Sequence, residues 1–187
     1  TVHHNQKHGV ELQGQSQGTL EDCELSHNTG SGVLVTTGSS PLCLRCQMQY
    51  NLRHGVGVEH RGQGSYQDCT ISANHLANVA ISTQSTPYFY LCKIIDGENC
   101  GVTCRDDGEG MLEYCDISEN HGANIAIGIG GDPHISHCKL ERSQRYSLEC
   151  ASDARGSIDH SSLAGSALGA LSLAQSASTV LKSNMLS

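Results

Sequence analysis

Five acidic side chains and two arginines form the group most capable of chemistry. They gather at one point of a 23-residue repeat, in three successive copies: Arg105, Asp106, Asp107, Glu109, Asp132, Asp153 and Arg155. Paired carboxylates beside a cation can transfer protons, and their oxygens can also bind calcium. A solvent-exposed turn explains the same composition, because Asp and Gly favour turns. We therefore treat these residues as a candidate binding site, the acidic corner, and assign no catalytic residue.

Cysteine is the second reactive residue type, with 10 copies in the chain. Six of them are spaced by 23 residues: Cys23, Cys46, Cys69, Cys92, Cys115 and Cys138. Such a column could hold free buried thiols, disulfides between neighbours or a metal. Each column cysteine lies two residues before an aliphatic residue, which favours free thiols inside a core. We therefore expect a reducing, intracellular compartment.

Metal binding has two further candidates in the sequence. Cys43 and Cys46 have the spacing of a zinc-binding pair, but zinc needs two more ligands nearby. Histidines recur on the same period, as His4 with His27, His75 with His121, and His137 with His160. Histidines on adjacent strands can bind metal. No column of carboxylates accompanies them, so we interpret them as surface residues and predict no metal and no cofactor.

The elements that position these groups follow from the same period. Two aliphatic columns are Val33, Val56, Val79, Val102, Ile125, Leu148 and Leu25, Met48, Ile71, Ile94, Ile117, Leu140. A third apolar position recurs at Cys43, Tyr66, Phe89, Leu112, Ile135 and Ile158. Alternation of apolar and polar residues around each position is typical of short strands. Three strands per 23 residues predict an all-β solenoid, a single-stranded parallel β-helix of roughly seven to eight coils, each ~4.8 Å from the next.

The turns of this solenoid have their own columns. An asparagine ladder is predicted from Asn5, Asn28, Asn51, Asn74 and Asn120, since stacked amides can bond to one another at a turn. The position before the valine column holds Gly9, Gly32, Gly55 and Gly101, with Asn78 and Asn124. We expect a positive φ there, because Gly and Asn tolerate it.

The repeat pattern weakens late in the chain. We assign residues 1–160 to the β-helix, and residues 161–187 to either a degenerate final coil or a helical cap over the open end. The first residues begin partway through a repeat, which indicates a piece of a longer protein.

Two turn motifs carry a family resemblance. Gly131-Asp132-Pro133 alternates with Gly62-Gln63-Gly64, and Gln67-Asp68-Cys69-Thr70-Ile71 follows the second motif. The pattern resembles right-handed parallel β-helices of the pectate-lyase-like superfamily, and more closely the β-helix region of large F-box proteins. The second resemblance implies a platform that recognises substrates for ubiquitin ligation. The first implies an enzyme that uses carboxylates, a basic residue or calcium on an outer face.

Composition narrows the function. The net charge is −8 with no basic cluster, which disfavours nucleic acid. No apolar run of about 18 residues exists, which disfavours a membrane span. Coils of equal length leave no long loops to wall a cleft. We therefore predict a scaffold that binds a protein partner, with an outward polar ridge of Glu24, Gln47, Thr70, Lys93, Asp116 and Lys139. The alternative is a carbohydrate-binding or polysaccharide-cleaving enzyme that uses Asp106, Asp107, Asp132 and Asp153.

Overall fold

The computed structural model of the protein describes residues 1–187 and contains strands but no helix. Its 25 strands are mostly three residues long. They form three parallel sheets of nine, eight and eight strands, because each coil adds one strand to every sheet. The predicted all-β solenoid of stacked coils is confirmed.

We name the sheets A, B and C in the order in which a coil visits them. Sheet A contains Val2–His3, Glu24–Ser26, Gln47–Gln49, Thr70–Ser72, Lys93–Ile95, Asp116–Ser118, Lys139–Glu141, Ser162–Ala164 and Met185–Leu186. Sheet B contains Val10–Leu12, Val33–Val35, Val56–Val58, Val79–Ile81, Val102–Cys104, Ile125–Ile127, Tyr146–Cys150 and Gly169–Leu173. Sheet C contains Gln17–Glu21, Ser40–Leu44, Ser65–Gln67, Tyr88–Tyr90, Met111–Glu113, His134–Ser136, Ser157–Asp159 and Val180–Lys182.

Neighbouring strands pair in register, so that each residue lies beside the residue 23 positions away. Ile71, for example, lies between Met48 and Ile94 in sheet A. Because side chains of a strand alternate between its two faces, the inward columns of the three sheets meet in one narrow core. The two largest buried side chains, Tyr66 and Phe89, stack there with ring centroids 4.6 Å apart.

The cysteine column lies at the corner between sheets C and A, which we call the Cys corner. Five of its six members are buried, and Cys23 in the first complete coil is half-buried. All ten cysteines of the chain are free. The Cys69 thiol lies 3.5 Å from the carbonyl oxygen of Cys43 and 3.4 Å from that of Gln67, as their hydrogen-bond donor. The prediction of buried, unpaired thiols in the core is confirmed.

The asparagine column lies at the corner between sheets A and B, which we call the Asn corner. Asn28 Nδ2 donates to Asn51 Oδ1 at 2.9 Å, and Asn51 Nδ2 donates to Asn74 Oδ1 at 2.9 Å. The same two oxygens accept the backbone N–H groups of Asn28 and Asn51 at 3.1 and 3.0 Å. The predicted asparagine ladder is therefore confirmed, and it also satisfies backbone donors at the turn.

The ladder continues through a coil that has no asparagine in the column, because Gly97 occupies that place. The side chain of Asn78 fills the gap: its Oδ1 accepts from Asn74 Nδ2 at 2.8 Å, and its Nδ2 donates to Asn120 Oδ1 at 3.1 Å. Asn124 takes the same role beyond Asn120, whose Nδ2 donates to Asn124 Oδ1 at 3.0 Å.

The expectation of a positive φ before the valine column is wrong. None of the residues at that position has one. Glycine is required there by space instead: a Cβ on Gly55 would lie 2.7 Å from Asn74 Nδ2, and one on Gly101 would lie 2.6 Å from Asn120 Nδ2. Each level of the ladder therefore has room for one amide. It comes either from that coil's own ladder residue or, at the level of Gly97, from Asn78 of the preceding coil.

Positive φ values occur instead at all three corners, mostly in residues other than glycine. Tyr50 (φ 55°) follows a sheet A strand, Asp68 (φ 52°) precedes a column cysteine, and Asp106 and Asp107 (φ 53° and 58°) join sheets B and C. Such conformations cost on the order of 1–3 kcal/mol unless the surroundings fix them. Hydrogen bonds from the next coil do so here, as in the 3.0 Å bond from Asp68 N to Tyr90 O.

Residues 161–187 form strands that extend all three sheets, and no helix. Leu163, Leu171 and Leu181 remain paired with the aliphatic columns of the preceding coil. This segment is therefore a further part of the solenoid. No helix in the chain could cross a membrane.

Candidate functional site

The acidic corner joins sheets B and C, and Arg155 organises it. The Arg155 guanidinium lies 3.6 Å from Asp107 Oδ1 and 3.5 Å from Asp132 Oδ2, and it donates to the carbonyl oxygen of Gly130 at 3.3 Å. Arg105 lies 3.4 Å from Asp106. Three candidates from different coils, Asp107, Asp132 and Arg155, thus come together.

Two other candidates of the acidic corner stand apart from this ion-pair network. Asp153 contributes its backbone, which accepts from Gly130 N at 3.4 Å and donates to Ser176 Oγ at 3.1 Å. Glu109 lines a shallow depression on the neighbouring face of sheet C. The five acidic side chains therefore do not converge on one point.

The chemistry available at the acidic corner is limited by its exposure. The side chains of Asp107 and Asp132 are 63% and 42% exposed, and Arg155 lies between them. No three side chains of His, Cys, Asp or Glu anywhere in the chain are grouped to hold a metal ion. Exposed ion pairs of this kind contribute little, about 0–1 kcal/mol each. The arrangement suits a solvated polar surface better than proton transfer between carboxylates.

Sheet A is bordered by two exposed columns of residues whose backbone is in the left-handed conformation, with positive φ. At the Asn corner, His4, His27 and Tyr50 stack with ring centroids 5.3 and 5.2 Å apart. Further along the same column the side chains are charged, and Arg142 is paired with Glu119. One corner of sheet A is therefore aromatic in its first coils and charged in its later ones.

The Cys corner shows the opposite order. Arg45 pairs with Asp22 at 2.9 Å in the first coils. In the later coils Tyr114, His137 and His160 stack with ring centroids 4.8 and 5.1 Å apart. The aromatic stacks therefore lie diagonally opposite each other across sheet A, and a charged segment faces each of them.

The outer face of sheet A between these columns carries the predicted polar ridge. Its charges pair along the sheet, since Lys139 lies 3.9 Å from Asp116 and 3.4 Å from Glu141. The remaining histidine pair is not a stack, because His75 contacts Glu98 at 2.6 Å instead. Mixed charge and exposed rings thus share one continuous face.

A separate cavity of about 120 Å³ lies on the outer face of sheet B. The outward column of this sheet contains Gly57 and Ala80 between the larger Leu34 and Thr103. The two small residues leave a recess. Its rim is polar and includes the side chains of His8, Ser31, Arg53, His54, Glu59, Ser82 and Arg105.

The two histidines of this cavity have fixed and opposite tautomers. Nδ1 of His54 lies 3.0 Å from the carbonyl oxygen of Ala77, so Nδ1 carries the proton and Nε2 is free to accept. Nδ1 of His8 accepts from the backbone N–H of Ser31 at 3.0 Å, so its Nε2 carries the proton. Burial lowers the pKa of both rings, and they are neutral near pH 7.

The thiols show no sign of activation. Burial raises the pKa of Cys104 to about 11, and the neighbouring Cys115 thiol together with burial raises the pKa of Cys92 to about 12. A cysteine acts as a nucleophile or metal ligand in its thiolate form. Cys43 and Cys46 are buried in the core, and the pKa of both thiols is raised mainly by burial. Cys43, Cys46, Cys92 and Cys104 are therefore structural.

Comparison with known families agrees with this architecture. A family model described as a right handed beta helix region matches residues 1–111, which is more than half of the chain. The chain belongs to the right handed beta helix family. No curated protein sequence matches it.

Two solved structures extend the β-helix likeness over almost the whole chain. The A-module of mannuronan C-5 epimerase AlgE4 from Azotobacter vinelandii has a TM-score of 0.76 at 13% identity, over 95% of this chain and 58% of that one. The AlgE6 A-module from the same organism has a TM-score of 0.61 at 10% identity, over 92% of this chain and 59% of that one. This chain thus spans about three fifths of either structure, and the likeness at this identity concerns the fold.

Sequence reasoning found the histidine pairs of the aromatic stacks but missed their tyrosine members and the sheet B cavity. The signal for the cavity was the column of His8, Ser31 and His54, spaced by 23 residues beside the small residue Gly57. The signal for the longer stack was that Tyr114 continues the spacing of His137 and His160. A column that mixes tyrosine with histidine becomes visible only when both residue types are compared at the same spacing.

Proposed function

We propose that this β-helix is a scaffold that presents sheet A and its two bordering corners to a partner protein. One observation carries the proposal: large side chains stand half-exposed around a face of mixed charge. Tyr50 is 51% exposed, Leu52 58%, Leu91 49% and Tyr114 50%. Tyrosine and arginine are enriched among the residues that contribute most to binding energy at protein interfaces.

The dimensions of this face suit a protein interface. Nine strands at ~4.8 Å spacing make sheet A roughly 40 Å long. With its two corners, such a face is comparable to the ~800 Å² that one partner contributes to an ordinary interface. The resemblance of the turn motifs to those of large F-box proteins supports a partner selected for ubiquitin ligation. Ten free thiols support a reducing, intracellular setting for this role.

Carbohydrate binding is the second candidate, and one observation favours it. The stack of Tyr114, His137 and His160 continues through Tyr90, whose ring lies 5.8 Å from that of Tyr114, to Tyr88. A band of exposed rings can pack against sugar rings. The same fold carries an enzyme named for mannuronan in the AlgE4 structure. The acidic corner would be the polar part of such a site.

The test compares two matched surface variants of the full chain. Tyr50→Ser combined with Tyr114→Ser changes the sheet A corners, and Met111→Ser changes an exposed residue of sheet C. Proteins captured by the unaltered chain are purified, and their affinity for each variant is measured by calorimetry. We expect a partner whose affinity falls at least tenfold with the tyrosine variant and stays unchanged with Met111→Ser.

Two results would count against this assignment. Every captured protein could bind both variants equally, which would exclude sheet A as the interface. Alternatively, a panel of oligosaccharides could yield a ligand that the tyrosine variant loses, while no protein shows that dependence. The second result would establish carbohydrate as the ligand class.

A further inference from the structure

The sheet B cavity has the charge expected of an anion site, although the chain as a whole is acidic. Arg53 and Arg105 stand at its rim, and Glu59 is the carboxylate there. The local charge is therefore +1, against −8 for the whole chain. Arg53 forms no ion pair, and the partner of Arg105, Asp106, lies outside the cavity. At least one guanidinium thus remains available to a ligand.

The uncharged groups of the cavity wall add further donors. His8 offers an Nε2–H because its other nitrogen accepts from Ser31. The Ser82 hydroxyl already accepts from Thr83, so its own O–H is free to donate. Carboxylates are acceptors with two oxygens, and arginine binds them with a matching pair of N–H groups. The wall therefore has the donor excess that a carboxylate requires.

The volume sets an upper limit on the ligand. A cavity of about 150 Å³ holds one benzene molecule, so the 120 Å³ recess over Gly57 and Ala80 accommodates a carboxylate with one or two carbons. A complete sugar ring would not enter it. The wall also has no Tyr, Phe or Trp side chain on which such a ring could stack.

We propose that the cavity over Gly57 and Ala80 binds a small carboxylate group, held between Arg53 and Arg105 with the N–H of His8 and the hydroxyl of Ser82. The side chain of an acidic amino acid and a free short-chain acid share this chemistry. The site lies on sheet B and is independent of the protein-binding face assigned to sheet A.

Binding of an anion here is coupled to a proton. His54 is neutral near pH 7 because burial lowers its pKa, and it is surrounded by Arg53, Glu59 and Arg105. His8 is also neutral, and it is influenced by Glu11, Arg53, Glu59 and Lys7. A carboxylate in the cavity favours the charged imidazole of His54, which then donates through Nε2. Affinity should therefore increase as the pH falls below neutrality.

The experiment follows the imidazole ¹⁵N resonances of His8 and His54 in the full chain during titration. Acetate and the α-amide of N-acetylglutamate are the carboxylate probes, and acetamide is the uncharged control. We expect saturable shifts with both carboxylates and none with acetamide. Tighter binding of the glutamate derivative identifies an acidic side chain as the source, whereas tighter binding of acetate identifies a free acid.

Matched variants locate the site. Ala80→Leu fills the recess and should weaken binding at least tenfold, while Ala126→Leu, in the same outward column but outside the cavity, should leave it unchanged. Arg53→Gln, an exposed residue without an ion pair, should weaken binding at least fivefold without altering the unfolding midpoint. His54→Gln should abolish the tightening at lower pH.

The proposal is overturned if acetamide shifts the two rings as acetate does, or if Ala80→Leu binds acetate as well as the unaltered chain. An unchanged affinity of Arg53→Gln would overturn it as well. None of these outcomes depends on sheet A, so the two proposals succeed or fail separately.

Discussion

The Asn corner and the Cys corner border the same sheet, and each must provide hydrogen-bond acceptors for backbone N–H groups at its turn. They do so with different side chains. In both, a buried side chain of one coil accepts a backbone N–H from the coil before it. Asn51 Oδ1 accepts from Asn28 N at 3.1 Å, and Cys138 Sγ accepts from Cys115 N at 3.4 Å. The amide oxygen is a strong acceptor, whereas sulfur is a weak one.

The two corners also differ in how they treat an interruption. Where Gly97 breaks the asparagine column, Asn78 supplies the missing amide. Where the cysteine column ends, Ser161 and then Asn184 take its place, and each accepts the expected backbone N–H, at 3.0 and 2.9 Å. Between Asn28 and Asn124 the Asn corner keeps an amide at every level. Beyond this stretch Ser166 Oγ accepts from Ser143 N at 3.1 Å, so serine ends the column at the Asn corner as it does at the Cys corner.

The largest loss in the free energy of unfolding is expected for substitutions at the centre of the asparagine ladder. Asn120→Leu removes an oxygen that accepts from Gly97 N and Asn78 Nδ2, and three donor contacts as well. We expect a loss of about 3–5 kcal/mol in the free energy of unfolding, because buried partners lose their bonds. Asn74→Leu should behave similarly, while Asn5→Leu, at the exposed end, should cost less than about 1 kcal/mol. Equal urea midpoints for all three variants would refute the ladder as a stabilising element.

The second-largest loss of stability is expected where the side chain of Asn78 replaces the missing amide of the ladder. Asn78→Gly leaves the coil of Gly97 without an amide, and Gly97→Asn alone places a Cβ 2.8 Å from Asn78 Nδ2. Each single change should cost about 2–3 kcal/mol. The double variant restores one amide per coil and should recover most of the loss. A double-mutant cycle with a coupling energy near zero would show that the two positions are independent.

Alkaline pH should distinguish the corners. The pKa of Cys92 is raised to about 12, above that of an unfolded thiol, so its contribution to stability is present below pH 9 and lost as the pH rises towards 12. The slope is up to about 1.4 kcal/mol per pH unit for one thiol. We expect the unfolding free energy measured between pH 9 and 10.5 to fall less steeply in Cys92→Ala than in the unaltered chain. Asn51→Leu, as the control, should keep the original slope.

The smallest effect concerns the volume of the cysteines. Cys92→Ala and Cys92→Val at neutral pH should each cost about 1 kcal/mol, at the low end of core substitutions. Thiol titration of the denatured, unreduced protein should find nearly all ten cysteines free, and in the native protein the half-buried Cys23 should react first. A titration of fewer than five thiols would contradict the assignment of free cysteines.

The repeat could be predicted from the sequence because it is a property of spacing. The cysteine, valine and asparagine columns require only counting, and their burial follows from alternation. The physical reason why glycine is required at position 55 could not be predicted by counting. A glycine in a column shows that a small residue is needed, but not whether a dihedral angle or a neighbouring amide requires it.

The candidate sites were harder to predict for a related reason. The meeting of Asp107, Asp132 and Arg155 follows from their positions in successive coils, but the distances depend on the path of one long arginine side chain. The sheet B cavity exists because Gly57 and Ala80 are small. Hydropathy patterns record which residues are apolar and do not register the space that small residues leave.

The equal length of the coils has a mechanical consequence. Each coil that detaches under tension releases 23 residues, which extend to about 75–80 Å, while the folded stack shortens by only ~4.8 Å. A chain pulled from its two ends should therefore lengthen in uniform steps of roughly 70–75 Å. The asparagine ladder would oppose each step, so the force needed to continue should be greatest in the coils between Asn28 and Asn124.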